Sequence, residues 1–242
     1  MIVWQGKQLM PKIVYQDDYL LVVNKPPFWI VNRSLTTKGK VTLQDWLEEG
    51  FNFETIRRKG FRAGIAHRLD KNTSGILLVA KTINGLNKIQ KQFFDRQVKK
   101  EYLALVHGVL PLDGEVTAPI GRLAWDREKF GVSFGGKEAK SQFIREAVYR
   151  KGSDQYSLIR VFPKTGRTHQ IRVHFRYLGY PIVADSDYVG RKRLRRDQYW
   201  CLRIFLHALT ISFIHPNTND KVEFVAPLPD DLSLALKKLK KV

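Results

Sequence analysis

The chain has 242 residues, 43% of them hydrophobic and 12% aromatic, which is enough to bury a substantial core and too apolar for a disordered protein. A single cysteine, Cys201, excludes an internal disulfide framework and cysteine-based zinc sites. The 42 Lys and Arg against 23 Asp and Glu leave a formal charge of +19, which favours a polyanionic partner because each neutralised phosphate releases counterions.

In chain order, short strands are expected at 13–15 and 20–23, separated by Gln16-Asp17-Asp18, with Pro26 and Pro27 breaking the second. A helix is expected over 43–49, followed by a polar and basic loop that reaches Arg62. Residues 76–80 read as a buried strand, and Ile83, Leu86, Ile89 and Phe93 then recur at helical spacing. Residues 101–107 read as a strand with Tyr102, Ala104 and Val106 on one face. Strands at 142–149 and 156–162 join across Lys151-Gly152-Ser153-Asp154, and a helix at 169–177 is ended by Gly179 and Pro181. A strand at 206–213 can pair with 222–225 across Pro216-Asn217-Thr218-Asn219. The last helix, 229–239, opens on Asp230 and Asp231 and closes on lysines, as the helix dipole prefers. Strands outnumber helices and often follow one another. The expected class is therefore α+β, a mixed, mostly antiparallel sheet flanked by helices, in one domain over 1–242. No early apolar stretch has the shape of a signal peptide, and no apolar run approaches the ~20 residues that span a bilayer. A soluble, cytoplasmic protein is expected.

Chemistry concentrates in two segments. In His67-Arg68-Leu69-Asp70-Lys71-Asn72-Thr73-Ser74-Gly75 a carboxylate sits in a short polar turn just ahead of the apolar run 76–80. Asp70 is thereby presented on the lip of a sheet; the plainer alternative is an Asx-turn to its own backbone. In Thr165-Gly166-Arg167-Thr168-His169-Gln170-Ile171-Arg172-Val173-His174, Gly166 permits a tight turn and the following residues open a helix whose first amides could hold a phosphate. The glycine spacing is not that of a P-loop. His169 and Arg172 fall one helical turn apart. Neither histidine pair has zinc-protease spacing, so no metal site is expected. The cluster Arg191, Lys192, Arg193, Arg195 and Arg196 reads either as a solvated loop or as part of a nucleic-acid surface. Arg57, Arg58, Lys59, Lys99, Lys100, Arg160, Lys164, Arg167 and Arg172 spread further charge along the chain and favour the second. No basic amphipathic helix with an aromatic apolar face points to a membrane.

Asn24-Lys25-Pro26, the block from His67 to Thr82, Lys100-Glu101-Tyr102-Leu103-Ala104-Leu105-Val106-His107-Gly108 and the block from Thr165 to His174 follow one another in order. Gly179-Tyr180-Pro181-Ile182 with Asp185 and Tyr188, then Leu206-His207-Ala208 and His215-Pro216, complete the series. In these blocks the chain resembles the RluA-type pseudouridine synthases of RNA, over nearly its whole length. The resemblance implies the pseudouridine synthase catalytic fold and an isomerase of uridines in ribosomal or transfer RNA that needs no cofactor. RNA is the implied partner, a membrane is not, and a monomer is expected.

The aspartate of the His-Arg-Leu-Asp block is essential in that family, which implies that Asp70 is catalytic. The reaction breaks the glycosidic bond of a uridine, turns the base and rejoins it to ribose through carbon 5. A carboxylate can serve as nucleophile or as the base that forms a glycal, and both remain open. Arg172 corresponds to the family's helix-borne arginine, implied to pair with the catalytic carboxylate and favour its charged form. Tyr102 corresponds to the active-site tyrosine, implied to stack on the base and assist removal of the carbon 5 proton. Arg68 can fill the space left by a uridine swung out of a stem, or hold the flanking phosphate. His67 joins the substrate-binding group as a hydrogen-bonded support, and Lys164, Arg167 and His169 as contacts to the RNA backbone. His207 reads equally as a core histidine. Two departures stand out: Pro27-Phe28-Trp29 replaces the family's usual glycine after Asn-Lys-Pro, and no room is left for the small basic RNA-binding domain that precedes the catalytic one in many relatives. A catalytically silent RNA-binding or ribosome-assembly protein on the same fold is the alternative reading. A metal-dependent nuclease would need clustered carboxylates that the Asp70 neighbourhood lacks.

Overall fold

A computed structural model describes residues 3–4, 6–123 and 126–242. It divides into two units, Met1–Lys99 with Ala208–Pro227, and Lys100–His207 with Leu228–Val242. The first opens with the paired strands β1 (Val3–Trp4) and β2 (Lys7–Gln8), then β3 (Lys12–Gln16), β4 (Leu20–Lys25) and α1 (Leu43–Gly50). It continues through α2 (Glu54–Arg57), β5 (Ser74–Ala80) and α3 (Ile83–Phe94). The second begins with β6 (Lys99–His107), β7 (Asp113–Thr117), β8 (Ile120–Leu123), β9 (Asp126–Val132), β10 (Lys140–Lys151) and β11 (Asp154–Pro163). Helices α4 (Gln170–Tyr177) and α5 (Arg191–Gln198) follow. From Ala208 onward β12 (Leu206–Ile214), with β13 (Lys221–Val225), belongs to the first unit, while α6 (Asp230–Lys237) and β14 (Lys240–Lys241) belong to the second.

In the first unit β3, β4, β5 and β12 are neighbours in that order, and β13 pairs antiparallel with β12. The β4–β5 ladder runs from Leu20↔Ala80 to Lys25↔Gly75. All seven residues of β5 are buried, because one face packs on Leu86 and Ile89 of α3 and on Ile211 and Phe213 of β12. Gly75 is required there. Its φ is +120°, and a Cβ would stand 2.1 Å from the Ala208 carbonyl oxygen of β12. Strand β4 runs two residues past the expected end, since Pro26 itself, not Asn24, is the first residue unable to donate to a ladder.

The expected loop after α1 contains α2 and a 3-10 turn at Arg62–Gly64. Tertiary anchors made this helix: the Thr55 hydroxyl donates to the Ala80 carbonyl (2.8 Å), and the Glu54 carboxylate accepts the Ile83 amide at the start of α3 (2.9 Å). Helix α1 opens on a capping box formed by Thr42 and Asp45, and at the start of α3 the Thr82 side chain accepts the Gly85 amide.

In the second unit β11 lies between β6 and β10, and β10 also pairs with β7 and β14, all antiparallel. Strand β6 alternates between two cores, as its sequence predicts. Leu103 and Leu105 join Leu158, Trp200, Phe205 and Leu232, while Tyr102, Ala104 and Val106 join Phe143, Ile159, Ile171 and Phe175. Strands β7 to β9 were not expected. They are short and rich in Asp, Glu, Lys, Arg and Gly, so no apolar alternation betrays them. The class is the expected one, a mixed, mostly antiparallel sheet with flanking helices, and the bridge Ile30↔Thr42 is parallel.

Candidate active site

In the first unit Asp70 ends an extended segment that runs beside β5. Ala66 donates to the Leu78 carbonyl, and the Leu78 amide donates to His67 Nε2 at 3.1 Å. In its neutral form His67 must therefore carry its proton on Nδ1. Its ring lies 5.0 Å from that of Phe93. The turn after Asp70 is closed by main chain, Thr73 N–H to the Asp70 carbonyl at 3.1 Å. Arg68 is exposed, and Asp70 is half-buried.

Beneath this turn lies a residue whose role sequence reasoning missed. Lys25 is fully buried, and its ammonium donates to the carbonyls of Pro26 (2.9 Å), Trp29 (3.1 Å) and Lys71 (3.2 Å). It ties the β4 end to the residue that follows Asp70. The Asn-Lys-Pro block was the available signal, since a lysine between an apolar strand and a proline has few reasons to be buried unless it satisfies carbonyls. Phe28 sits nearby at φ +70°, in the region that favours glycine. The chain thus keeps a glycine-like path where the expected glycine is missing.

In the second unit Arg172 is buried on α4 and forks onto fully buried Asp185, with Nε–Oδ2 at 2.8 Å and Nη2–Oδ1 at 2.7 Å. Nη2 also reaches Asp187 at 2.5 Å, and the guanidinium lies 5.0 Å from the centre of the Tyr188 ring. A bidentate arginine held this way is fixed in orientation as well as in charge. The Tyr188 hydroxyl meets His169 Nδ1 at 2.9 Å, and burial pushes that hydroxyl up to about 12.

His169 lies outside the helix, contrary to the expected start at residue 169. It is the N-cap at φ +55°, and α4 begins at Gln170. His169 and Arg172 still converge, but on Tyr188 rather than through helical spacing. The backbone strain falls on His169 and not on Gly166, which is absent from the left-handed residues. Two amides at the start of the segment are used within the chain: Arg167 N–H donates to Gln170 Oε1 (3.0 Å), and Gln170 N–H to the Arg167 carbonyl (3.2 Å).

Tyr102 is partly buried on β6 opposite Val161. Two residues earlier on the same face, Lys100 lies beside Gly166, where an added Cβ would be 3.9 Å from Nζ; burial pushes its ammonium down to about 8. From the sequence Lys100 stands among the dispersed cations and at the head of the motif block 100–108, with no role of its own. Lys164 is exposed, and Arg167 Nε donates to the Glu138 carbonyl at 2.9 Å. His207 is fully buried. Asp70, His67 and Arg68 thus belong to one unit, and Tyr102, Lys164, Arg167, His169 and Arg172 to the other.

Among the described residues no three His, Cys, Asp or Glu side chains gather as metal ligands, and no helix is long and apolar enough to cross a membrane. The carboxylates of Asp185 and Asp187 hold a guanidinium.

This fold and these motifs are those of an enzyme that isomerises RNA uridines. The profile of the family described as RNA pseudouridylate synthase matches residues 19–177. Ribosomal large subunit pseudouridine synthase D of Vibrio cholerae serotype O1 is 36% identical over 237 residues, covering 95% of this chain and 71% of the relative. The protein of that name from Pseudomonas aeruginosa is 36% identical over 236 residues, covering 94% and 71%. Among solved structures, human RNA pseudouridylate synthase domain containing 1 superposes with a TM-score of 0.73 at 30% identity, covering 96% of this chain and 89% of that one. The chain belongs to the RNA pseudouridylate synthase family and is an RNA pseudouridine synthase.

Proposed function

We propose that this enzyme isomerises uridines of ribosomal or transfer RNA with Asp70 as its essential carboxylate. The observation that carries the reading is the seat of Asp70. It lies within the family-matched segment, on a turn closed by main chain, backed by the buried strand β5 and tied through Lys71 to the buried ammonium of Lys25. A group that must meet a sugar or base in one geometry gains from such support. The names of the Vibrio and Pseudomonas relatives favour ribosomal RNA of the large subunit over transfer RNA.

Arg172 is the counter-charge of Asp70 in this reading, and Tyr102 stacks on the uracil and assists proton removal from carbon 5. The fork onto Asp185 supports the first role, because it removes the rotational freedom of the guanidinium. Arg68, exposed two residues before Asp70, takes the place of the displaced base or its flanking phosphate, while Lys164, Arg167 and His169 contact the RNA backbone. The protein works in the cytoplasm as a monomer without a cofactor.

Asp70→Asn tests the reading, since it keeps the size of the side chain and removes its charge. The folded variant is expected to bind RNA and to release no detectable tritium from carbon 5 of labelled uridine in transcripts. Near-normal release would refute the assignment of Asp70. RNA binding with no isomerisation by the wild-type chain on any transcript would instead favour the silent, assembly-factor reading.

A further inference from the structure

We propose that α5 and the tyrosine at its end form a docking surface for RNA outside the reacting uridine, with the helix cations on phosphates and Tyr199 stacked on an unpaired base. The proposal rests on the RNA reading above and adds to it where, and on which RNA feature, the chain takes hold.

The helix is firmly held from behind. Asp197 is buried, accepts the Ala184 amide at 2.8 Å and meets His107 Nε2 at 2.9 Å. Its carbonyl accepts the amides of Trp200 (2.9 Å) and Cys201 (2.7 Å). The buried Trp200 ring packs edge-on against Tyr156 with centroids 5.3 Å apart. A segment that could have been a solvated loop is instead an ordered helix with a fixed back.

Its outer face breaks the local rules of helix stability. Arg191, Lys192, Arg193, Arg195 and Arg196 are all exposed, and no carboxylate among the described residues pairs with any of them. Arg191 with Arg195, and Lys192 with Arg196, are like-charge pairs one turn apart. The first turn holds no acid, so its cations oppose the helix dipole. A rigid element that concentrates one sign of charge against its own stability is explained by a polyanion that neutralises it.

Tyr199 narrows the class of polyanion. It continues the helical backbone as the C-cap, three and four residues after Arg196 and Arg195, and is 88% exposed. That places an aromatic ring beside two guanidinium groups on one surface, the combination that holds a single-stranded base between backbone contacts. An anionic membrane would need an apolar face beneath the cations, and Leu194 is half-buried toward the protein. RNA with an unpaired segment is the better fit.

Two labelled RNAs test the proposal by equilibrium binding: a hairpin with an unpaired tail, and a blunt duplex of equal length. Replacing Arg191, Lys192, Arg195 and Arg196 together by alanine should weaken both complexes and flatten the plot of log affinity against log salt by about 3 in slope. Tyr199→Ala should cost about tenfold with the tailed hairpin and nothing with the duplex. These side chains are exposed, and alanine favours helix, so circular dichroism should report intact folding. Unchanged affinity and salt slope in the charge variant would overturn the docking surface. Equal losses on both RNAs for Tyr199→Ala would overturn the stacking role, as would no loss on either. Loss of binding to vesicles of anionic lipid with RNA affinity intact would replace RNA by a membrane. Asp70→Asn run beside them keeps the questions apart, because its binding tests the surface and its tritium release tests the catalytic assignment.

Discussion

Lys25 concentrates the cost of building this site into one side chain. A fully buried ammonium loses its hydration, and three carbonyl oxygens at 2.9 to 3.2 Å replace it. Lys25→Met keeps the length of the stem but removes those donors, leaving carbonyls buried and under-satisfied. The expected loss is about 3 kcal/mol in urea unfolding, with slower isomerisation in the fraction that folds because Lys71 adjoins Asp70. A change below about 1 kcal/mol would show that the carbonyls find other donors. Arg172 obeys the same logic in the other unit, since its charge is acceptable in a buried place because Asp185 meets it edge to edge. Lys25 and Arg172 are thus each held by polar partners, the Lys71 carbonyl and the Asp185 carboxylate among them.

Helix α4 shows how an element is set by such partners. Its inward side holds a polar chain: Gln170 Nε2 donates to Ser141 Oγ (3.0 Å), which faces His174 Nδ1 (3.0 Å), and His174 Nε2 faces the Ala118 carbonyl (3.1 Å). A carbonyl can only accept, so Nε2 carries the proton and Nδ1 accepts from the serine. Burial holds His174 below the usual histidine value, although the Ala118 carbonyl acts in the opposite sense. A histidine with a depressed folded pKa takes up protons more readily when unfolded. Its contribution to stability is complete above the ordinary value near 6.5 and is lost as pH falls below it, by at most about 1.4 kcal/mol per pH unit. The wild-type melting temperature should therefore fall more between pH 7.5 and pH 5.5, values spanning roughly the ordinary histidine pKa, than that of His174→Gln, whose amide can repeat both bonds. Equal falls would assign the acid sensitivity to groups other than His174.

For the whole molecule the governing quantity is the charge of +19. Phosphate contacts release counterions, and affinity for RNA should fall steeply and linearly in log–log coordinates as salt rises. A loss of at least about a hundredfold is expected between about 50 and about 200 mM. A flat plot would mean that the cations are solvated and that binding rests on base contacts alone. The same charge predicts that non-substrate RNA binds well at low salt, so substrate choice must be measured near physiological ionic strength.

Much of this could be read from the residues in order. The turn at Asp70, the capped helices α1 and α3, and the two faces of β6 follow from short-range patterns: turn formers, capping pairs and period-two alternation, which act within a few residues. The ordered motif blocks carried the family, because side-chain identities at a reaction site are constrained by chemistry rather than by local propensity. Other features depended on residues far apart in the chain. Helix α2 exists through Ala80 and Ile83, and α5 through Asp197 with His107 and Ala184. The hairpin β8–β9 is stitched by backbone bonds its polar sequence does not announce. Likewise the burial of Lys25, the left-handed turn at His169 and the grip of Asp185 on Arg172 were decided when the chain closed on itself, because desolvation and bidentate geometry exist only once distant groups meet.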